Sequence, residues 1–207
     1  VATAALEAGV IGEQTTLVTP PELKIGEWIF PDWKAHGSAN VKKAIAESNN
    51  VFFYIVGGGY GNIGGLGSER LGNYLRKFWF DGKSGIDLPG EKGGLVPTPE
   101  WKVKYKGESW YVGDTYHMAI GQGDILVTPM EIAAATSAIA NGGTYYEPRT
   151  VRSVLSPEGS KITDIAPTPH GAAVASGETL RIVREGMRQT ITSGSGFSTF
   201  GNNFPVA

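Results

Sequence analysis

The chain has 207 residues, 41% hydrophobic and 18% charged, with a formal net charge of -2 at pH 7 and no cysteine. This suits one domain or a large piece of one, and it excludes a nucleic-acid surface driven by phosphate contacts, disulfides and thiolate metal sites, and any apolar run near the roughly 20 residues needed to span a bilayer. The 30 glycines fall in short clusters rather than in a repeat, which implies tight turns and close backbone approaches.

The chain opens without Met or a signal segment. Residues 1–9 are helix formers closed by Gly9, so a helix is expected to begin upstream. Residues 11–40 are rich in Pro, Gly, Thr and Trp and lack helical periodicity, which predicts an extended surface region with short strands. Ser38 is placed to cap a helix carrying Val41, Ala44 and Ile45 on one face and ending near Ser48. Residues 51–56 are apolar all round and run into Gly57-Gly58-Gly59, which fits a buried helix or a central strand; length does not decide between them. Over 68–80, Leu71, Tyr74, Leu75, Phe78 and Trp79 recur at helical spacing, with Arg70, Arg76 and Lys77 towards solvent.

From Asp81 to Gly113 the chain returns to turns, with a short helix expected at Thr98, where Pro99 takes the first helical position. Residues 130–141 form a helix headed by Thr128-Pro129 and stopped by Gly142-Gly143. Residues 145–165 read as two strands joined at Ser156-Pro157-Glu158-Gly159. Residues 176–192 read as an amphipathic helix with Leu180, Val183, Met187 and Ile191 inward. Six helices dominate this pattern. The closing stretch Asn203-Phe204-Pro205-Val206-Ala207 has the look of a strand just entered.

Several ordered stretches then coincide: Glu47-Ser48-Asn49-Asn50-Val51-Phe52-Phe53-Tyr54, Ser84-Gly85-Ile86-Asp87-Leu88-Pro89-Gly90-Glu91, Ala119-Ile120-Gly121-Gln122-Gly123 and Thr128-Pro129. Their order and spacing resemble penicillin-binding proteins across essentially the whole chain. Asp32-Trp33-Lys34, Pro97-Thr98-Pro99-Glu100-Trp101-Lys102, Trp110 and Gly113-Asp114-Thr115 are similar to the elongation-type class B enzymes, penicillin-binding protein 2. A single Ser-x-Asn occurs often by chance, so the ordered set carries the signal.

The resemblance implies an α/β (α+β) transpeptidase fold in the parent protein, an antiparallel sheet between helices. Residues 1–207 would be a partial transpeptidase domain, mainly the helical lobe with a few short strands and the central sheet largely missing. It implies attack on the terminal D-Ala-D-Ala of a peptidoglycan stem peptide through an acyl-serine, with β-lactams acylating the same serine. That chemistry uses Ser-x-x-Lys, Ser-x-Asn or Ser-x-Asp, and Lys-Ser/Thr-Gly, because a serine hydroxyl is a weak nucleophile until a neighbouring base takes its proton. No Ser-x-x-Lys occurs here, so the nucleophile and its lysine are expected just before Val1 and the third motif just after Ala207. The fragment alone is then expected to be inactive.

The second motif is present. By resemblance Ser48 passes a proton towards the leaving amine, the Asn50 amide holds the substrate backbone, and Gly121, Gln122 and Gly123 frame the site. Ser38-Ala39-Asn40 matches the same pattern but sits as a cap, and Lys83-Ser84-Gly85 has the letters of the third motif but falls in a glycine-rich loop. Asp32 and His36 could supply two metal ligands; with no evident third and fourth ligand, no metal and no cofactor is assigned. His117 and His170 are isolated, which favours surface or hydrogen-bonded roles.

Implied partners are peptidoglycan stem peptides, β-lactams and the cell-elongation machinery with a membrane glycosyltransferase, at the outer face of the bacterial cytoplasmic membrane with an anchor upstream. Two alternatives stay open: a β-lactamase or D,D-carboxypeptidase of the same superfamily, and a non-catalytic penicillin-sensing or envelope-binding module.

Overall fold

The computed structural model describes residues 1–200; the strand expected at Asn203 to Ala207 lies outside them. Helix α1 (Ala2–Glu7) is followed by strands β1 (Leu17–Thr19), β2 (Glu22–Ile25), β3 (Trp28–Pro31) and β4 (Gly37–Ala39). Helices α2 (Val41–Ala46), α3 (Asn50–Gly58), α4 (Gly67–Lys77), α5 (Pro99–Lys106), α6 (Val112–Ala119) and α7 (Pro129–Ala140) come next. Strands β5 (Tyr145–Tyr146), β6 (Ser153–Leu155), β7 (Lys161–Asp164) and β8 (Pro169–His170) precede α8 (Gly177–Thr192) and the single turn α9 (Phe197–Phe200). Among the described residues every sheet is a two-stranded antiparallel pair, β1 with β4, β2 with β3, β5 with β8 and β6 with β7. The helical lobe with short strands is what the sequence implied.

Helix α3 is the hub, which settles the ambiguity at residues 51–56. Asn49 starts it by accepting a hydrogen bond from Phe52 N at 2.8 Å, and its apolar circumference is used on all sides, as a helix buried on every face requires. Phe52 and Val56 join a core with α1, α2, α4 and α8, while Val51, Tyr54 and Ile55 pack on Leu23, Phe30 and Tyr116 of the β2–β3 hairpin and α6. A third cluster packs α7 against Tyr145, Val174 and Leu180.

Close approach of α3 and α6 depends on the two glycines that end α3. A Cβ on Gly57 would lie 2.5 Å from Ala119 Cβ, and one on Gly58 2.3 Å from Tyr116 Cε1. The stop falls at Gly59, at φ +86°. Gly57→Val is therefore expected to destabilise the protein by about 1–3 kcal/mol through overpacking, read as a lower urea midpoint at unchanged slope; an unchanged midpoint would show that α6 yields freely.

Five expectations need correction. Ser38 does not cap α2: it lies in β4 opposite Val18, and Asn40, next to the first helical residue, accepts from Lys43 N at 3.0 Å. Met187 is not inward but 37% exposed; α8 instead buries Thr179, Leu180, Ile182, Val183 and Gly186, because a Cβ on Gly186 would already be 2.9 Å from Ile45 Cδ1 and α2 presses on that line. The helix of 68–80 ends at Lys77. Trp79 then turns to φ +65°, stacks on Tyr145 and meets the His170 ring at a tilt.

Nine helices rather than six are present among the described residues, and α6 was hidden by its composition. Its residues include Gly113, Asp114 and Thr115, all poor helix formers, so tertiary packing through Thr115, Tyr116, Met118 and Ala119 holds it. The strand pair around Ser156 to Gly159 is present as β6 and β7, but Tyr145 pairs with His170 instead.

Candidate active site

The Ser-x-Asn segment forms the sharp turn between α2 and α3. Ser48 is exposed and adopts φ +54°, a left-handed conformation that costs an L-residue about 1–2 kcal/mol. Such a conformation persists only where its surroundings over-determine it. Ser48 N donates to Ile45 O at 3.2 Å and Asn49 N to Ala44 O at 3.0 Å, closing the end of α2. Among the described residues neither the Ser48 hydroxyl nor the Asn50 amide has a hydrogen-bond partner, so both remain available on a fixed turn.

Asn49, between them, is wholly buried. Its Oδ1 caps α3 and its Nδ2 donates to Thr19 Oγ1 at 2.9 Å, and the Thr19 hydroxyl donates to Gly37 O at 2.8 Å. The turn is thus tied to the β1–β4 pair. On its other side Ser195 N donates to Ala46 O at 2.9 Å, where a Cβ on Gly194 would come within 2.1 Å of that oxygen.

Asp32 and His36 meet, but as part of a clasp on this turn. Asp32 Oδ2 accepts from Val51 N at 2.9 Å, at the positive end of α3. The His36 ring lies between Asp32 Oδ1 (3.3 Å) and Glu47 Oε2 (2.7 Å), so both ring nitrogens already face carboxylates. Among the described residues no group of three or more His, Cys, Asp or Glu is arranged to hold a metal ion.

Burial raises the Glu47 carboxyl, but the His36 hydrogen bond and the charges of Lys34 and Lys43 outweigh it, leaving Glu47 below its ordinary value. A depressed folded-state pKa contributes stability that is complete above the unfolded value of about 4.3 and is lost as pH falls through the folded pKa. Acid unfolding of Glu47→Gln is accordingly expected to show a shallower limb below about pH 4.5 than the parent. Superimposable limbs would remove Glu47 from the clasp.

The structure does not join the glycine-rich segment to this turn. Gly121 and Gly123, at φ +74° and +77°, close the C-terminus of α6, with Gly121 N donating to Met118 O at 3.1 Å and Gln122 N to His117 O at 2.8 Å. Among the described residues no hydrogen bond or ion pair links residues 121–123 to Ser48 or Asn50. Lys83-Ser84-Gly85 is a loop: Ser84 is 1% exposed and its Oγ donates to Glu91 Oε1 at 2.5 Å. His117 lies against Phe30, and His170 pairs with Glu147 at 2.6 Å.

Reading the sequence missed Asn49 and the contact of Trp33 with the turn. The signal for Asn49 was available, since two asparagines precede the apolar run and Asn is a good N-cap. Trp33 stood out only as part of the family resemblance, and nothing local points its indole at Ser48.

Comparison with solved structures gives the fold. The chain aligns over 97% of its length with the PBP2 chain in the complex between penicillin-binding protein PBP2 and MreC from Helicobacter pylori, with a TM-score of 0.76 and 31% identity, covering 37% of that chain. It aligns over 99% of its length, with a TM-score of 0.79 and 29% identity, with 33% of a chain in a peptidoglycan synthase complex described as coordinating polymerization and crosslinking. The lobe therefore has the fold of the penicillin-binding proteins.

The chain belongs to the penicillin binding protein transpeptidase domain family, whose profile matches residues 1–207. It is 36% identical over 171 residues, 81% of this chain, to the peptidoglycan D,D-transpeptidase MrdA of Acinetobacter baumannii, and spans about a quarter of such relatives (24% of that one). Among the described residues no helix is long and apolar enough to cross a membrane.

Proposed function

We propose that this chain is the Ser-x-Asn lobe of a serine D,D-transpeptidase that crosslinks peptidoglycan stem peptides and is acylated by β-lactams. The observation that carries the reading is the Ser48 turn: an exposed hydroxyl and an unbonded amide on a left-handed, cross-tied turn, inside a transpeptidase-family domain. Short polar groups held without a protein partner are pre-organised to exchange a proton and orient a peptide.

In this reading the nucleophile and its lysine lie on a Ser-x-x-Lys outside the 207 residues, as does the Lys-Ser/Thr-Gly strand. Attack on the D-Ala-D-Ala carbonyl forms the acyl-serine and expels D-alanine, which takes its proton by way of Ser48. The Asn50 amide holds the peptide, residues 121–123 border the cleft, and a second strand's amine resolves the ester. The relatives that carry the likeness include a complex with MreC and a peptidoglycan synthase complex, which supports our reading that the parent works with the cell-elongation machinery; a membrane glycosyltransferase partner and a site at the outer face of the cytoplasmic membrane are part of the same proposal. No cofactor enters this chemistry.

The test is fluorescent-penicillin labelling of the full-length protein. One covalent adduct per chain, on the serine of a Ser-x-x-Lys, is expected, with none on residues 1–207 alone. A folded full-length protein that never labels overturns the reading in favour of a binding module, and rapid lactam turnover overturns it in favour of a hydrolase.

A further inference from the structure

We infer that Trp33 and His36 are positioning residues for Ser48, an inference that rests on the transpeptidase reading above. Ser48 needs its left-handed backbone held against an intrinsic cost; the N–H sides of its two peptide planes are held by α2, and the carbonyl sides are met by the loop after β3. Trp33 Nε1 lies 3.2 Å from Glu47 O and 3.1 Å from Ser48 O, so one N–H donor is shared by the two carbonyls that flank the Ser48 amide and Cα. Fixing those two carbonyls fixes the orientation of the two peptide planes, and with them the direction in which Ser48 Cβ and Oγ project.

The indole is not there for its apolar burial. Trp33 is 57% exposed, although a tryptophan placed for hydrophobic gain is normally mostly covered. What holds it in place is polar. Trp33 N donates to Asp32 Oδ1 at 2.8 Å, Asp32 N donates to Pro21 O at 2.8 Å, and the His36 ring meets the indole edge-on at 5.4 Å.

His36 then links three segments. Its ring runs from Asp32, on the Trp33 loop, to Glu47, at the end of α2, while the other Asp32 oxygen receives Val51 N from α3. The side chains of His36 and Asp32 are fully buried and that of Glu47 is 23% exposed. Lys34 reaches Glu47 at 3.5 Å and lies over the Trp33 ring at 4.8 Å, and Lys43 Nζ donates to His36 O and Ser38 O. Those lysines complete the set of charges that face the clasp.

The clasp is not all that holds the α2–α3 joint. That joint is already made by the Asn49–Thr19 pair and by the core around Ala44 and Phe52. Loss of the indole N–H should therefore loosen the aim of Ser48 more than the fold, and misplacing a reacting group by about 1 Å can cost on the order of 100-fold in rate.

The experiment is a double-mutant cycle in the full-length protein, reading the rate of acylation by a fluorescent penicillin together with the melting temperature. Trp33→Phe keeps a ring and deletes the N–H donor. It should lower the acylation rate roughly 10- to 100-fold with little change in melting, and should add nothing in a Ser48→Ala background. His36→Asn, which releases the loop but keeps the indole N–H, should lower the acylation rate alike, with a fall in melting from the buried Asp32 left without its ring partner, and serves if Trp33→Phe does not fold.

Losses that multiply with that of Ser48→Ala, or rates equal to the parent's, overturn the inference while leaving the transpeptidase reading intact. A Ser48→Ala protein that acylates at the parental rate instead removes the role assigned to Ser48, and the positioning role falls with it.

Discussion

Replacing Ser48 by Ala in the full-length protein is expected to lower the rate of penicillin acylation by roughly 10²- to 10⁴-fold, the range for loss of a positioned proton-transfer group, while melting stays near the parental value. The rate falls because no described side chain could substitute for the hydroxyl on that turn. Stability stays because the hydroxyl is exposed and Ala tolerates φ +54° no better and no worse than Ser. Ser48→Gly separates the two effects further. Glycine removes the left-handed cost of about 1–2 kcal/mol, offset in part by extra freedom in the unfolded chain, so this variant should be as inactive as Ser48→Ala yet at least as stable as the parent. An Ala variant within about threefold of the parental rate would assign Ser48 to the turn alone.

That contrast identifies which parts of the molecule a sequence can disclose. The helices with strong local signals were legible: Thr98-Pro99 and Thr128-Pro129 announced α5 and α7, and the Thr128 hydroxyl does accept from Glu131 N, which returns a bond from Thr128 N to its carboxylate. Ser48 and Asn50 stood out only through the ordered stretches that resemble the family, and nothing local told that Asn49 between them would be buried. Helix α6 was not, since its stability resides in contacts with α3 and the hairpin rather than in propensity. The Met187 error has the same origin: periodicity gives the width of an apolar face, but Gly186 and Ile45 decide its rotation.

The clasp shows a further limit. Asp32, Trp33, His36 and Glu47 were all visible as letters, and Asp32 with His36 even as a pair. Their meeting depends on the β2–β3 hairpin folding back so that the segment after Pro31 crosses the α2–α3 joint, and on Thr19 facing Asn49 across 30 residues. No local pattern encodes that return. With Glu47 added, the pair reads as an electrostatic tie in which each ring nitrogen already faces a carboxylate.

The largest loss of stability is expected at Asn49, the residue between Ser48 and Asn50, for which roles at the site are proposed. Asn49→Ala removes a helix cap, worth about 0.5–2 kcal/mol, leaves Phe52 N without its acceptor in a fully buried site, and takes from Thr19 Oγ1 the donor that orders its own bond to Gly37 O. With the small cavity left by the carboxamide, the total is about 2–4 kcal/mol, read as a fall in the urea midpoint. Asn49→Ser should recover part of it, because a hydroxyl can still cap α3 but cannot reach Thr19. Asn49→Asp separates the terms differently: it keeps a cap acceptor favoured by the helix dipole, yet sets a carboxylate in a dry site facing a hydroxyl already committed to Gly37 O, so it should lie below Ser unless Thr19 turns its proton round. Acylation should fall in the same order as stability, since the turn that aims Ser48 starts its next helix at Asn49. A loss below about 0.5 kcal/mol for Asn49→Ala, well under a normal buried cap, would mean that the Trp33 and His36 clasp alone holds the turn, and the division between a structural tie on one side and a positioning tie on the other would be wrong.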